Sequence, residues 1–179
     1  PEIILDGVGD FLEINDTNSI DFTNQFTMVF IAKQFVDGRQ CPLGKWDYLV
    51  QSSWSIEMWN SDLTSHIANS LTDVGGNNTF SSNLNFNKYN IYTIIYNGDL
   101  DNNNRVKHKI NNIPKSTITT GNIVQSLINS SANLKIGTFG NFGRFFNGSM
   151  VEILGFDSAL SDSNQNNLIN YLRYKYAPP

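Results

Sequence analysis

The sequence predicts an all-β protein: a sandwich of two antiparallel sheets with one C-terminal α-helix. Short segments in which apolar and polar residues alternate recur along most of the chain, and clusters of Gly, Asn, Asp and Ser separate them. Only the last 20 or so residues show a helical period instead. At 179 residues, the chain has the length of one domain with one core, so we expect a single domain over residues 1–179.

The predicted strands are rich in β-branched and aromatic residues, which suit a pleated and half-buried surface. They are Ile3–Leu5, Phe11–Ile14, Phe26–Ala32, Trp54–Trp59, Ile91–Tyr96, Val106–Ile110, Leu134–Ile136 and Met150–Leu154. Pairs such as Asp6-Gly7, Asp37-Gly38 and Asn111-Asn112 lie between them and tolerate the positive φ of tight turns. Many short strands joined by such turns are typical of a sandwich.

A helix is predicted at about residues 162–176. Either Ser161 or Asp162 can cap its first turn. Leu168, Leu172 and Tyr176 then fall on one face, four residues apart, and two prolines follow the helix.

Composition excludes several classes of function. The net charge is −4 and only 16% of residues are charged, while 26 asparagines supply much of the polarity. Without a basic stripe to neutralise phosphates, we expect no nucleic-acid partner. The longest apolar run, Met28–Ala32, is far shorter than the roughly 20 residues of a membrane span. The single cysteine, Cys41, excludes an internal disulfide.

Two stretches resemble the LamG-like members of the concanavalin A-like lectin/glucanase superfamily: the opening LDGVGDFLEINDTNSIDFTNQFTMVFIAK and the closing LKIGTFGNFGRFFNGSMVEILGFDSALSDSNQNNLINYLRYKYA. In the closing stretch an L-x-I-G strand, a glycine and aromatic loop, an F-x-G-x-x-x-E strand, an A-L-S-D turn and a helix ending in K-Y follow in the family's order. The resemblance covers about the first 35 and the last 90 residues. It implies a jelly-roll sandwich, most often a non-catalytic module for glycans or adhesion, although some relatives are glycoside hydrolases or polysaccharide lyases.

The closing stretch contains three glycines spaced three residues apart, a pattern similar to that of a phosphate-binding loop: Gly137, Gly140 and Gly143. Such a loop leads directly into a helix, whereas here another strand follows. We therefore interpret the loop as a hairpin corner.

Catalytic residues are not predicted. A retaining glycosidase needs two carboxylates about 5 to 5.5 Å apart, but alternation puts Glu57 and Asp62 on opposite faces of a strand. Of the two histidines, His66 is assigned a structural role, and His108 is expected on an exposed outer face because Lys107 and Lys109 flank it. With one cysteine and two separated histidines, neither a zinc site nor a nucleophilic triad can be assembled.

Glycan recognition combines a flat aromatic face with side chains that bind hydroxyl groups. In the segment 54–59, alternation directs Trp59 away from the core-facing residues. We therefore predict Trp59 as a ligand anchor, together with Asn60 and Asp62 in the turn that follows, and Trp46 as a second anchor. The alternative, that each tryptophan is an ordinary packed residue, stays open at this point.

A calcium ion is the cofactor that this sequence can accommodate, although none is required. Carboxylates in loops supply the hard oxygen ligands that calcium prefers, and many sandwiches of the superfamily hold one. The candidate ligands are Asp6, Asp10, Asp16 and Glu152.

The sequence thus predicts a non-catalytic carbohydrate-binding or adhesion module of a larger extracellular or virion-surface assembly. Its expected partners are a glycan or polysaccharide and other protein subunits. An alternative is a structural or decoration protein, for example of a phage capsid or fibre, with protein contacts only. A third hypothesis is a glycoside hydrolase or polysaccharide lyase.

Overall fold

The computed structural model describes residues 1–47, 51–59, 62–67, 76–81, 86–138 and 143–176, and it shows two antiparallel sheets and a helix. Sheet A has the strand order β1-β13-β3-β8-β9-β10. Its strands are β1 (Ile3–Asp6), β3 (Gln25–Gln34), β8 (Asn90–Asn97), β9 (Val106–Ile110), β10 (Ile113–Lys115) and β13 (Asn147–Phe156). Sheet B has the order β11-β7-β6-β5-β4-β12-β2. Its strands are β2 (Leu12–Ile14), β4 (Gln40–Asp47), β5 (Gln51–Trp59), β6 (Asp62–Ile67), β7 (Gly76–Ser81), β11 (Ile118–Thr120) and β12 (Leu134–Ile136).

These sheets confirm the predicted sandwich with a single C-terminal helix. The core between them takes alternate residues of each strand, such as Phe26 and Phe30 of β3 and Trp54 and Ile56 of β5. The aromatic rings are in direct contact: Phe26 lies 5.4 Å from Trp54 between ring centroids, which joins the two sheets. Burial of these large side chains is the main source of stability for such a fold.

Helix α1 (Asp162–Tyr176) begins and ends where the sequence predicts. Ser161 caps it, because the backbone N–H of Asn164 donates to Ser161 Oγ at 3.3 Å. Ile169 and Leu172 are buried against Val29 and Ile31, which project from the outer side of β3. The helix therefore covers the outer face of sheet A. None of the described helical segments has the length and apolar character that crossing a bilayer requires.

Strands β8, β9 and β10 follow one another as antiparallel neighbours in sheet A. β8 pairs with β9, and Tyr92 lies opposite Ile110. The following turn, Asn111-Asn112, has φ of 51° and 69°, the left-handed conformation expected for a tight two-residue turn. This turn brings β10 back alongside β9, with Lys115 opposite His108.

The loop 137–146 does not form the hairpin corner that the sequence suggested. Strand β12 before it belongs to sheet B and β13 after it belongs to sheet A, so the segment crosses between the sheets. Gly137 makes the crossing possible: its φ is +94°, and a Cβ there would lie 2.6 Å from Leu5 Cδ1. Gly140 lies outside the described residues. Glycine is therefore needed at Gly137, but for a connection between the two sheets and not for a hairpin within one sheet.

A buried ion cluster fixes the loops at one end of the core. Lys45 of β4 lies opposite Trp54, on the inner side of sheet B, and is 1% exposed. Its Nζ lies 2.5 Å from Asp16 Oδ1 and 2.8 Å from Asp21 Oδ1, and it donates to the backbone carbonyl of Ser130. A buried ammonium is costly unless it is paired and hydrogen-bonded, so this cluster ties three distant segments to one position.

His108 is buried, in contrast to the exposed position expected for it. The flanking Lys107 and Lys109 point away from the core, and alternation therefore directs His108 inward. Its Nε2 and Ser65 Oγ of the other sheet are 2.8 Å apart, a hydrogen bond that spans the sandwich. Burial lowers the pKa of His108 to about 3, so the imidazole is neutral at pH 7.

We predict that Lys45→Ala destabilises the fold by about 3 kcal/mol, because two carboxylates and a carbonyl lose their buried partner. Urea denaturation measures the change. Lys135→Ala on the neighbouring strand β12 is the control, with an expected effect within about 0.5 kcal/mol. A loss below about 1 kcal/mol for Lys45→Ala would show that the cluster is not stabilising.

His108 predicts a pH dependence of stability. Its pKa is lower in the folded state than the ordinary 6.5, so protons favour the unfolded state, and stability is complete above pH 6.5 and falls as the pH drops toward 3. Between pH 7 and pH 5 the free energy of unfolding is expected to fall by about 2 kcal/mol from this residue alone. In His108→Gln this part of the pH dependence is expected to disappear. An unchanged slope in that variant would contradict the assignment.

Candidate functional site

The outer face of sheet B carries a polar site at its centre. The core takes Ile56 and Met58 of β5, so the pleat turns Glu57 and Trp59 to the opposite, outer side. The partner strand β6 places Thr64 opposite Glu57 and Asp62 opposite Trp59. This geometry agrees with the predicted outward direction of Trp59.

Four ionisable side chains form what we call the Glu57 cluster: Glu57, Arg39, His66 and Arg144. Glu57 Oε2 accepts a hydrogen bond from Arg39 Nε at 3.0 Å and lies 3.2 Å from His66 Nε2. Glu57 Oε1 accepts a hydrogen bond from Arg144 Nη1. Only 2% of Glu57 is exposed, although it lies on the outer face of the sheet. One carboxylate is therefore held from three directions.

The charge state of Glu57 follows from these partners. Burial alone would raise its pKa, but hydrogen bonding and charge interaction with His66, together with Arg144 and Arg39, outweigh burial and lower the pKa to about 2. The carboxylate is therefore ionised throughout the neutral range. It is unsuited to the role of a general acid, which needs a proton to give near pH 7.

Trp59 lies at the exposed border of the Glu57 cluster. The side chain is 49% exposed, and the Arg39 guanidinium carbon lies 5.0 Å from its ring centroid. Because Arg39 is itself anchored by Glu57, the ring is held by a cation–π contact with a fixed cation. Asp62 lies across the ladder on β6 and is half-buried. The prediction that Glu57 and Asp62 lie on opposite faces of one strand is wrong, because they belong to two paired strands and share the outer face. The described part of the site thus offers an aromatic surface, a guanidinium and a carboxylate side by side.

The second predicted anchor, Trp46, is placed differently. It is 1% exposed and packs edge-on against His66, with ring centroids 6.2 Å apart. A register shift in the β4–β5 ladder falls between Lys45 and Trp46, so strict alternation does not place this ring. Trp46 packs against the His66 member of the Glu57 cluster and, being buried, presents no ring face for a sugar. Asn60, the remaining predicted ligand residue, lies outside the described residues.

The four predicted calcium ligands do not converge. Asp6 Oδ1 accepts the backbone N–H groups of Val8 and Gly9, at 2.8 and 3.2 Å, which closes its own turn. The pKa of Asp6 is lowered by these hydrogen bonds.

Two further members of the set have protein partners. Asp16 pairs with Lys45, and Glu152 pairs with Lys175 at 2.8 Å and accepts a hydrogen bond from Tyr176. Asp10 contributes its backbone N–H to Asp6. Within the described ranges no three His, Cys, Asp or Glu side chains are grouped to hold a metal. These residues do not fit one calcium site, and calcium binding itself stays a prediction.

The thiol of Cys41 is also accounted for. It is fully buried and donates toward the backbone carbonyl of Ile56 at 3.1 Å. Burial raises the pKa of the Cys41 thiol well above its usual value. A buried neutral thiol is not a nucleophile, so Cys41 has a packing role.

The fold is similar to that of several solved binding domains. The binding domain of botulinum neurotoxin serotype D/C matches with a TM-score of 0.69 and 20% identity, over 97% of this chain and 44% of that chain. The binding domain of Paraclostridial Mosquitocidal Protein 1 matches with a TM-score of 0.65 and 14% identity, over 96% of this chain and 47% of that chain. A heptameric SAP-like pentraxin from Limulus polyphemus matches with a TM-score of 0.62 and 12% identity, over 89% of this chain and 81% of that chain.

At these identities the likeness establishes the fold. The chain spans less than half of the toxin binding domains that it matches. No protein-family model matches the sequence, and no curated protein matches it either.

Alternation predicted the outward direction of Trp59 but gave no indication of the residues that hold Trp59 in place. Arg39 and Arg144 lie 18 and 87 positions from Glu57, and no local pattern connects them. The sequence does contain one indication of these partners. Glu57 lies between two core-facing apolar residues of a strand, so its side chain points to the outer face. If that face is covered, the buried carboxylate needs a cationic partner.

We predict that Glu57→Gln destabilises the fold by about 3 kcal/mol at pH 7. The folded-state pKa is lower than the ordinary 4.5, so the ionised carboxylate contributes stability above pH 4.5, and this contribution is lost as the pH falls toward 2. The difference between variant and wild type is therefore expected to shrink by roughly half at pH 3. Denaturation at both pH values measures it, with the exposed Glu13→Gln as the control. A difference that does not depend on pH would contradict this account.

Proposed function

We propose that this chain is a non-catalytic carbohydrate-binding module and that it binds a glycan at Trp59 on the outer face of sheet B. The observation that carries the proposal is an exposed tryptophan held by Arg39, which the buried carboxylate of Glu57 anchors. Sugar rings pack their C–H groups on aromatic faces, and a ring whose orientation is fixed in advance loses little entropy on binding. A buried carboxylate with a strongly lowered pKa beneath a surface aromatic residue is a feature found at binding sites.

The polar neighbours of Trp59 suit the same ligand. Arg39 keeps donor groups beyond the one bonded to Glu57, because a guanidinium has five N–H donors. Asp62 supplies acceptors across the ladder. A sugar stacked on Trp59 thus meets donors on one side and acceptors on the other, which is how hydroxyl groups are recognised.

Catalysis is not part of the proposal. Glu57 is the buried carboxylate at the site. Its ion pairs and its low pKa keep it ionised near pH 7, so it does not act as a proton donor there. Two of the structurally similar proteins, from botulinum neurotoxin serotype D/C and Paraclostridial Mosquitocidal Protein 1, are binding domains. Release of reducing sugar from a polysaccharide panel would overturn this part of the proposal.

The similar structures suggest the class of partner. One structure of the botulinum neurotoxin DC binding domain is in complex with rat synaptotagmin II and another is in complex with SialylT. Because this chain covers 43% and 42% of those two chains, the partners are carried over only as a class. We propose a secreted or surface-exposed location, as part of a larger extracellular or virion-surface assembly.

A second candidate function, a structural subunit with protein contacts only, is favoured by a different observation. Exposed large apolar residues are concentrated on the first strands at one lateral edge of the sandwich. They are Ile3, Ile4, Val8, Phe11, Leu12 and Ile14. Both β1 and β2 are outermost in their sheets, and outermost strands with apolar side chains favour protein association.

A glycan array followed by calorimetry tests the first candidate. We expect the wild type to bind at least one glycan and Trp59→Ala to bind it about tenfold more weakly, because a stacking contact is lost. Trp59→Phe keeps a smaller ring and is expected to fall between the two. Tyr174→Ala is the control, since Tyr174 is an 88% exposed aromatic residue on the outer side of the helix.

Two results would contradict the glycan site. Equal binding by wild type and Trp59→Ala would remove Trp59 from it. A wild type that binds no glycan would favour the structural subunit.

A further inference from the structure

The sandwich is open at the lateral edge that β1 and β2 share, which we call the β1–β2 edge. Strand β1 is outermost in sheet A and β2 is outermost in sheet B. The two lie close together, because a Cβ at Gly137, directly after the neighbour of β2, would be 2.6 Å from Leu5 Cδ1 of β1. Within the described chain no strand pairs with the outer side of either one. Each sheet therefore ends there with a row of backbone N–H and C=O groups that lacks a strand partner.

Three apolar side chains that point into the sandwich are left uncovered at this edge. Ile3 pairs with the core residue Met150. Leu12 and Ile14 pair with the core residues of β12. Because residues that lie opposite each other in a ladder project to the same side, all three face the interior. They are nevertheless 42 to 44% exposed, since β1 and β2 are the last strands of their sheets. A strand added at the β1–β2 edge would bury them.

The outward side of β1 presents an apolar residue between two carboxylates. Ile4 is the outward residue near the middle of the strand and is 62% exposed. Glu2 and Asp6 lie two positions before and after it, so the pleat directs them to the same side, and both are exposed. Hydrogen bonds lower the pKa of each: Tyr89 donates to Glu2, and the backbone N–H of Val8 donates to Asp6. Both carboxylates are therefore ionised at pH 7.

The charge of the β1–β2 edge indicates which partner suits it. Four exposed carboxylates lie in this segment, namely Glu2, Asp6, Asp10 and Glu13. Residues 1–32 contain no Lys, Arg or His. Two lysines lie on strands behind the edge, Lys33 of β3 and Lys135 of β12, so the edge keeps a negative excess. A second copy of this chain would set the same charges against each other, whereas a basic partner is attracted.

We propose that β1 accepts an added strand from a protein partner, an extended segment with an apolar centre and a Lys or Arg at each end. In the resulting ladder three apolar residues lie opposite Ile3–Leu5, and the basic residues lie opposite Glu2 and Asp6. Two of the apolar residues face inward and cover the exposed inward-facing side chains of both strands, and the third packs beside Ile4 on the outer side. The pattern reads the same in both directions, so it suits a parallel or an antiparallel strand.

This interaction goes beyond the glycan site. Trp59 lies on the outer face of sheet B, whereas the added strand extends sheet A at its edge. The added strand does not rest on the proposed glycan function, and it specifies the kind of partner that the second candidate function leaves open. Backbone hydrogen bonds supply affinity in such a complex, and the apolar and charged positions supply specificity.

Titration with short peptides, followed by the amide NMR signals of the protein, tests the added strand. The probe is acetylated Lys-Val-Ile-Val-Lys amide. One control, Glu-Val-Ile-Val-Glu, reverses its charges, and the other, Lys-Ser-Thr-Ser-Lys, removes its apolar centre. We expect the probe to shift the signals of residues 3–6. It is expected to bind at least about tenfold more tightly than either control, because each control lacks one half of the complementarity.

Charge reversal at the edge distinguishes recognition from damage to the fold. Glu2→Lys is expected to weaken the Lys-flanked probe about fivefold and to strengthen the Glu-flanked control about fivefold, since an exposed ion pair contributes a few-fold in affinity. A merely destabilised edge would weaken both peptides. Asp157→Lys reverses an exposed carboxylate beyond the end of β13 and is expected to change either affinity less than about twofold.

A polar substitution tests the apolar centre. Ile4→Thr keeps a β-branched side chain on β1 but makes it polar, and we expect it to weaken the probe about fivefold. Its matched control is Ile118→Thr, because Ile118 is 70% exposed on β11, the outermost strand at the opposite edge of sheet B. The control is expected to leave the affinity within about twofold of the wild type. Both isoleucines are exposed, so both variants are expected to fold as the wild type does.

Three results would overturn the added strand. The first is a wild type whose signals for residues 3–6 do not move at millimolar probe, and the second is equal weakening by Ile4→Thr and Ile118→Thr. The third is a wild type that sediments as a dimer and that Ile4→Thr converts to a monomer, because this would assign the edge to a second copy.

The Trp59→Ala variant separates the added strand from the glycan site. Probe binding that is unchanged in Trp59→Ala supports the β1–β2 edge whether or not Trp59 binds a glycan. Probe binding that Trp59→Ala abolishes and Ile4→Thr leaves intact belongs to the Trp59 site and contradicts the added strand.

Discussion

The alternation of β5 is the constraint on which the candidate site depends. Because Ile56 and Met58 must stay in the core, a slip of one residue in the register is excluded, and Glu57 and Trp59 are fixed on the outer face. The burial of an ionised Glu57 then requires cations, and Arg39 and Arg144, which lie outside this strand, supply them. Hydrophobic packing on one side of a strand thus determines the electrostatics on the other. The orientation of Trp59 follows from both.

The parts of the molecule that could be predicted from sequence are those governed by neighbouring residues. Helix 162–176 is specified by its own cap and apolar stripe, and the Asn111-Asn112 turn is specified by the tolerance of asparagine for positive φ. The outward direction of Trp59 follows from alternation within one strand. The same alternation also accounts for the burial of His108, because its flanking lysines face outward.

What could not be predicted depends on contacts between distant segments. The partners of Lys45 come from the loop before β3 and from the segment before β12, so a lysine within a strand had no visible reason to be buried. The burial of Trp46 follows a register shift that the sequence does not mark. The connection from β12 in one sheet to β13 in the other differs from the predicted hairpin corner, although both kinds of connection use glycine at positive φ. Tertiary context decides such cases, and local propensity does not.

The crossing segment also bears on how the chain acquires its structure during synthesis. Strand β12 inserts between β2 and β4, and β13 inserts between β1 and β3, so each sheet receives an interior strand from the last third of the chain. A nascent chain that has emerged only to residue 133 therefore has β3 and β4 with one side each unpaired, and β1 and β2 with no neighbour at all. Contacts of such long sequence separation slow folding and leave strand edges exposed in the meantime. Both sheets are therefore completed only once β13 has left the ribosome.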